Sequence, residues 1–180
     1  MKRFLEEFTS ELLQTAKECW ISQAAKLDMP TVDVERLFDW SVNRIDYAKN
    51  NNDSHAYGVF DELTNSCLAV VDIIHSNNNP QKKFVKMLTV DLCPELSKVL
   101  INEEDMSKID GVIDVYARAT TGTLVLTLQH NAAIIKLYGR DEPMRLLLSV
   151  LKERINSSSE IFASAYWEGL WLTVAPAKKG

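Results

Sequence analysis

The spacing of apolar residues changes at His55, and this change constrains the fold more than any other feature of the sequence. Before it, apolar side chains recur every three or four residues, which is the period of an amphipathic helix. After it, the run Cys67–His75 reads CLAVVDIIH, is rich in β-branched residues and lies between polar turns, as a strand does. In a chain of 180 residues this order predicts one α+β domain over residues 1–176, with a loose tail over 177–180.

Two amphipathic helices are predicted ahead of His55. The apolar stripe of the first helix begins at Phe4 and continues to about Leu27. Pro30 ends this helix because it has no backbone N–H with which to continue the hydrogen-bond ladder. Thr31 or Asp33 is then predicted to cap a second helix.

Three antiparallel strands are predicted next, because polar or turn-forming segments separate AYGVF, CLAVVDIIH and FVKMLTVDL. The segment that begins at Pro94 is predicted to be helical, and Gly111 is expected to bend or break this helix. Pro143 stands at the start of the clearest helix, EPMRLLLSVLKERI, and Gly169 occupies the turn of a final hairpin. The prediction is a mainly antiparallel central sheet with two N-terminal helices and two further helices.

The stretch LQHNAAIIKLYGR, Leu128–Arg140, permits two interpretations. A period near 3.6 makes NAAIIKLY the start of a helix that carries Tyr138, whereas a period of 2 makes TLVLTLQ and AAIIKLYGR two strands joined at His130. We favour a strand over Ala132–Tyr138, because Pro143 needs an extended residue before it and a helix here would be followed at once by another.

Charge and composition argue against several classes of function. The formal net charge of −5 argues against nucleic acid as the main partner, since phosphate binding needs a basic surface. The sequence has no run of about 18 apolar residues, so no membrane span is expected. Cys19, Cys67 and Cys93 form no Cys-x-x-Cys motif and no cluster with histidine, so we expect buried free thiols and no metal. The N-terminus lacks the apolar core of a secretory signal, and a cytoplasmic setting is expected.

Two aspartates on the predicted strands are candidates for proton transfer. Asp72 interrupts the apolar run Cys67–His75, where an ionised carboxylate is costly unless it is paired. Asp91, near the end of the neighbouring strand, could pair with it, and such a carboxylate can accept a proton from an ammonium substrate. The alternative is that both aspartates face water. His75 and His130 are expected in turns or on the surface, because no second ligand stands at metal spacing.

Aromatic residues mark two candidate interaction surfaces. Tyr166, Trp167 and Trp171 cluster in the last hairpin, where opposed aromatics usually pack across the strands but are also enriched at interfaces. Trp20 and Trp40 belong to the two N-terminal helices, whose apolar faces exceed what one sheet face needs. These features lead us to expect a homodimer or a protein partner.

The order of the predicted elements resembles that of the GCN5-related N-acetyltransferase (GNAT) family without the family's first strand. The similarity covers roughly Val34 to Val174. Within it, MLTVDLCPE, Met87–Glu95, looks like the family's fourth strand running to the proline before its cofactor loop. NAAIIKLY is also similar to the family's N-x-x-A-I-x-L-Y segment.

This resemblance implies an acetyl-CoA-dependent N-acyltransferase. Tyr138 would protonate the leaving thiolate, and Asp72 or Asp91 would assist deprotonation of the acceptor. After Pro94 the chain reads ELSKVLINEED in place of the family's glycine-rich pyrophosphate turn. A non-catalytic protein-binding or dimerisation module, on this or another α+β scaffold, is therefore the alternative. The residues that would line the cofactor groove are Leu88, Val90 and Leu92.

Overall fold

The computed structural model describes residues 5–51, 54–76, 83–101, 109–130, 132, 134–158 and 162–176. Asn131 and the predicted tail lie outside the described residues. The strands are β1 (Glu6–Glu7), β2 (Ser54–Phe60), β3 (Cys67–Ser76), β4 (Phe84–Leu92), β5 (Ile134–Tyr138), β6 (Phe162–Glu168) and β7 (Trp171–Pro176). The helices are α1 (Ser10–Lys26), α2 (Thr31–Asn51), α3 (Pro94–Ile101), α4 (Ile109–Gln129) and α5 (Glu142–Ser158).

The strands form one seven-stranded sheet in the order β1-β2-β3-β4-β5-β7-β6. Every neighbouring pair is antiparallel except β4 and β5, which run parallel. A parallel pair needs a crossover connection, and α3 and α4 lie in that connection. The predicted α+β class with a mainly antiparallel sheet is confirmed.

Helices cover both faces of the sheet, and we call the α1–α2 side the front and the α4–α5 side the back. The front core joins α1 and α2 to β2 and β3, with Trp20, Phe38 and Val70 among its buried residues. The back core includes Val115 of α4 and Leu148 of α5 together with the alternate side chains of the strands. None of the helices in the described ranges is long and apolar enough to cross a membrane.

The start of the chain differs from the sequence prediction. The two-residue strand β1 pairs with β2, whereas no strand was expected before the first helix. Helix α1 begins only at Ser10, where the hydroxyl of Thr9 accepts a hydrogen bond from the N–H of Leu12 at 3.2 Å. This cap satisfies one of the free N–H groups of the first turn, so the apolar residue Phe8 precedes the helix instead of opening it.

The connection between β4 and β5 also differs. Helix α4 runs through Gly111 without a break, and the segment TLVLTLQ is helical instead of extended. The hydroxyls of Thr123 and Thr127 donate to carbonyl oxygens four residues earlier, each at 2.9 Å, so these buried groups are satisfied inside the helix. The favoured strand over Ala132–Tyr138 is confirmed, since β5 begins at Ile134. Among the described residues, two helices, α3 and α4, therefore lie between β4 and β5.

Candidate functional site

Strands β4 and β5 pair over only four residues each and then separate. Their pairing extends from Phe84 and Ile134 to Met87 and Leu137. Strand β4 continues to Leu92, and within the described residues this part of it has no partner in β5. We call the resulting opening the β4–β5 cleft. It lies at the carboxyl ends of two parallel strands, which is where open sheets commonly bind ligands.

A β-bulge in β4 lies at the apex of this cleft. Asp72 pairs with Thr89, whereas the next residue of β3, Ile73, pairs with Met87, so Leu88 is an extra residue in β4. A bulge bends its strand and leaves the extra residue outside the ladder. The bulge therefore turns the rest of β4 away from β5 and leaves backbone groups of β4 facing the opening.

The three residues predicted for a cofactor groove occupy this free length of β4. Leu88 lies at the apex, and Val90 and Leu92 follow it towards the open end. The side chains of Val90 and Leu92 pack against the back core. What β4 offers to a ligand beyond the bulge is therefore mainly its backbone N–H and C=O groups.

Tyr138 lies on the other side of the apex. It is the last residue of β5 and the first one beyond the pairing with β4. Its neighbours Ile135 and Leu137 point into the back core, so the alternation of a strand puts Tyr138 on the front face. There its ring packs against Trp171 with ring centroids 4.8 Å apart, and the side chain is half-buried.

Asp91 forms an ion pair with Arg140 across the cleft. Its strand partner is Val70, a member of the front core, so Asp91 also belongs to the front face. One oxygen of its carboxylate accepts a hydrogen bond from the guanidinium of Arg140 at 3.1 Å. Arg140 follows β5 by two residues, so this pair joins the two strands where their backbones have separated.

A second polar contact fixes the loop after β5, which borders the cleft. The hydroxyl of Tyr116, on α4, donates to Oδ2 of Asp141 at 3.2 Å. Oδ1 of Asp141 accepts from the backbone N–H of Met144 at 2.9 Å and so caps α5. Burial, and then the charge of Asp141, raise the pKa of Tyr116 well above its usual value. Tyr116 therefore remains a donor across the physiological range and fixes the loop that carries Arg140.

A cavity of about 230 Å³ opens on the front face beside the end of β4. Trp20 of α1, Leu37 of α2 and Met29 from the turn between these helices give it an apolar wall. Its ionisable lining residues among those described are two acids, Asp33 and Asp91. The cavity is therefore small, largely apolar and lined by two carboxyl groups.

Asp72 lies deeper in the protein than Asp91. Its side chain is 4% exposed, so the alternative in which both aspartates face water is wrong for this residue. Asp72 lies on the front face between Ala56 and Thr89 of the neighbouring strands. Asp91 is its diagonal neighbour, and such pairs have Cα atoms about 7–8 Å apart. The two aspartates share a face, but the ion-pair partner of Asp91 is Arg140.

Sequence reasoning missed two features of the molecule. The first is Arg140, whose role depends on a contact across 49 residues of chain. The second is a cluster of histidines away from the cleft, in which His75 is 2% exposed instead of lying on the surface as expected. No spacing rule could have found either one, because both arise where distant segments meet. The predicted free thiols are present: Cys67 and Cys93 are buried and Cys19 is half-buried.

The comparisons with known proteins concern the fold. No family model matches the sequence, and a search of curated proteins found no relative. Among solved structures, a probable acetyltransferase is similar over 93% of this chain and 97% of its own, with a TM-score of 0.51 and 9% sequence identity. The chain has a GNAT-like fold.

Two further solved structures are similar at lower TM-scores. A GCN5-related N-acetyltransferase from Ralstonia eutropha JMP134 gives a TM-score of 0.42 at 10% identity, covering 92% of this chain and 98% of its own. An aminoglycoside 6'-N-acetyltransferase from Acinetobacter haemolyticus gives 0.39 at 9% identity, covering 94% and 98%.

Within this GNAT-like fold, the similarity of NAAIIKLY to a family segment does not extend to structure. Of its described residues, Ile134–Tyr138 form strand β5, whereas the interpretation with a period near 3.6 placed Tyr138 in a helix. The helix that follows β5 is α5, and it contains no tyrosine. Tyr138 therefore reaches the cleft from a strand end. The acidic segment that replaces the glycine-rich turn falls largely in 102–108, outside the described residues.

Proposed function

We propose that the chain is an acyl-CoA-dependent N-acetyltransferase that acts on a small amine. The observation that carries this proposal is the cleft that begins at the β4 bulge, with Tyr138 on one side of its apex and the acidic cavity beside its open end. A thioester in the cleft and an amine in the cavity would meet along the front face of β4.

The free length of β4 fits the pantetheine arm of acetyl-CoA. An extended ligand with amide groups can add to an unpaired strand edge through main-chain hydrogen bonds. Residues 88–92 present such an edge, because β5 turns away after Leu137. When bound, acetyl-CoA supplies an acyl group activated as a thioester. Backbone N–H groups near the bulge at Leu88 are suited to hydrogen-bond the carbonyl oxygen as it gains negative charge.

Asp91 and Tyr138 are the proposed proton acceptor and donor. The carboxylate of Asp91 accepts a proton from the acceptor ammonium, directly or through water. The amine nitrogen then forms a bond to the thioester carbon, the bond from carbon to sulfur breaks, and the hydroxyl of Tyr138 protonates the sulfur. The nitrogen gives its remaining surplus proton to solvent, and proton exchange through solvent returns Asp91 and Tyr138 to their starting forms. Asp72, the diagonal neighbour of Asp91 on the same face, is the proposed alternative proton acceptor.

The acceptor follows from the cavity that Asp91 lines. Its apolar wall fits a small hydrocarbon body, and Asp33 adds a second carboxylate at the same opening. Opposite charges attract strongly in a partly dehydrated site, so a cationic amine is favoured over an alcohol or an acid. The three free thiols support a reducing compartment, and we propose the cytoplasm.

Isothermal titration with acetyl-CoA tests the proposal. We expect micromolar binding of acetyl-CoA and of CoA, because most contacts come from the pantetheine arm. Hydrogen exchange measured on the same samples should slow at the amides of residues 88–92 and stay unchanged in β2, which serves as the internal control. If millimolar acetyl-CoA produced no heat of binding and did not slow hydrogen exchange in β4, the proposed transferase activity would have no basis.

A non-catalytic binding or dimerisation module is the second candidate. The front side of β5, β7 and β6 favours this candidate. Within the described ranges, these strands contribute no buried residue to the front core, whose members come from the N-terminal half of the chain and from Cys93 just after β4. Tyr166 is 46% exposed there, and β6 is an edge strand. We expect sedimentation velocity to show a concentration-dependent dimer that Tyr166→Ser weakens. A monomer at all concentrations would contradict dimerisation.

A further inference from the structure

All three histidines of the chain come together at the end of the sheet where β4 and β5 are still paired, away from the cleft. The ring of His75, on β3, lies 4.8 Å from that of His55 on β2 and 4.3 Å from that of His130 at the end of α4, measured between centroids. His75 pairs in the ladder with Val85, near the start of β4. Segments that are far apart in sequence therefore meet through imidazole rings, and we call this group the histidine cluster.

Few polar groups surround the buried member of this cluster. Nε2 of His75 lies 3.3 Å from the hydroxyl of Tyr57, and its Nδ1 is buried with no hydrogen-bond partner among the described residues. Nδ1 of His55 lies 2.8 Å from a carboxylate oxygen of Glu7 on β1. The charged groups that act on the cluster are thus Glu7 from β1 and Lys83 from the segment before β4. Within the part of the chain that the structure describes, no carboxylate is in contact with His75 to stabilise an added proton.

The cluster does not have the arrangement of a metal centre. The described histidines, cysteines and acids contain no group of three or more that could hold a metal ion. Both close ring pairs of His75 are edge-to-face, at 64° to His55 and 82° to His130. Near neutral pH, the change of state open to these rings is protonation.

We propose that the histidine cluster is an acid-sensitive lock, which holds this end of the sheet closed while its rings are neutral and weakens progressively as the pH falls below about 6.5. Neutral rings can pack edge to face, but two or three cationic rings at these distances repel one another in a site with little water. The contacts that would loosen join β1, β2, β3 and the end of α4. This inference goes beyond the proposed function and does not depend on it.

The direction of the pH effect follows from proton binding in the two states. Burial, and then the charges of His130 and His55, lower the pKa of His75 to about 3. Burial, and then His55 and Lys83, lower the pKa of His130 as well. In the unfolded chain a histidine side chain is exposed to water and titrates at about pH 6.5. Below that pH the unfolded state binds more protons than the native state, so stability is present above about pH 6.5 and falls as the pH decreases.

Thermal unfolding between pH 7.5 and 5.5, with a chelator present, tests the lock. For the wild type we expect the midpoint to fall by about 3–5 °C per pH unit for each histidine that stays neutral in the native state, over the acidic half of this range. His75→Phe should show a shallower slope, even where its midpoint at pH 7.5 is lower. Tyr57→Phe alters the same pocket without removing a histidine and should keep the wild-type slope.

Two further measurements make the result decisive. If His75→Phe does not fold, His130→Gln takes its place and should also show a shallower slope. In the wild type, the ring carbon and proton signals of His75 in NMR spectra should not titrate between pH 7.5 and 5.5. Equal slopes in all variants, or titration of folded His75 near pH 6.5, would overturn the proposal.

Discussion

Replacement of Trp20 by alanine is expected to lower the free energy of unfolding by about 3–5 kcal/mol. The indole is 1% exposed and meets the ring of Phe38 edge to face at 5.3 Å. Its N–H donates to the carbonyl oxygen of Cys67 at 2.8 Å and so ties α1 to the start of β3. The substitution removes a large apolar volume and also leaves this carbonyl without its donor. Urea unfolding followed by circular dichroism measures the change.

Two companion variants separate these effects. Trp20→Phe keeps most of the packing but removes the donor, and we expect it to cost about 1–3 kcal/mol through the unsatisfied carbonyl. Leu63→Ala alters a side chain that is 96% exposed and should change the free energy of unfolding by no more than about 0.5 kcal/mol. A loss below about 1 kcal/mol for Trp20→Ala would contradict the front core described above.

The sequence was informative where burial repeats with a regular period. Strands β3 and β4 alternate or run apolar between polar turns, and α5 shows a clear stripe after Pro143, so each could be predicted from local pattern alone. Helix α4 was harder because several of its faces are buried and it contains many β-branched residues. Such a segment has no clear period, and the helical hydrogen bonds of Thr123 and Thr127 become visible only in the structure.

Contacts between distant segments could not be predicted. Asp91 was found from its residue type and its position near a strand end, but no local pattern indicated that Arg140 would reach it across the cleft. The bulge at Leu88 depends on the register between β3 and β4, which a hydrophobic pattern does not determine to one residue. The burial of His75 likewise depends on α4 ending against β3. The residue types of the candidate site were therefore predictable, whereas its geometry was not.

The largest effect on activity is expected from Asp91→Asn. If Asp91 accepts the proton of the amine, its loss should lower kcat by about 10²–10⁴-fold, the usual contribution of a general base, while the KM for acetyl-CoA stays near the wild-type value. Stability should hardly change, because a partly exposed ion pair such as Asp91–Arg140 contributes only about 0–1 kcal/mol. Acetyl transfer to a panel of small amines, measured by release of free thiol, gives both constants.

Arg140→Gln is the control that distinguishes proton transfer from a structural role. It removes the same ion pair but leaves the carboxylate of Asp91 in place, so kcat should fall much less than in Asp91→Asn. Asp33→Asn lies at the cavity mouth and should mainly raise the KM for the amine. If Arg140→Gln lost as much kcat as Asp91→Asn, the carboxylate would be needed to hold the two sides of the cleft together. The proton would then have to leave by another route, and Asp72, which lies on the same face of the sheet, would be the next residue to replace.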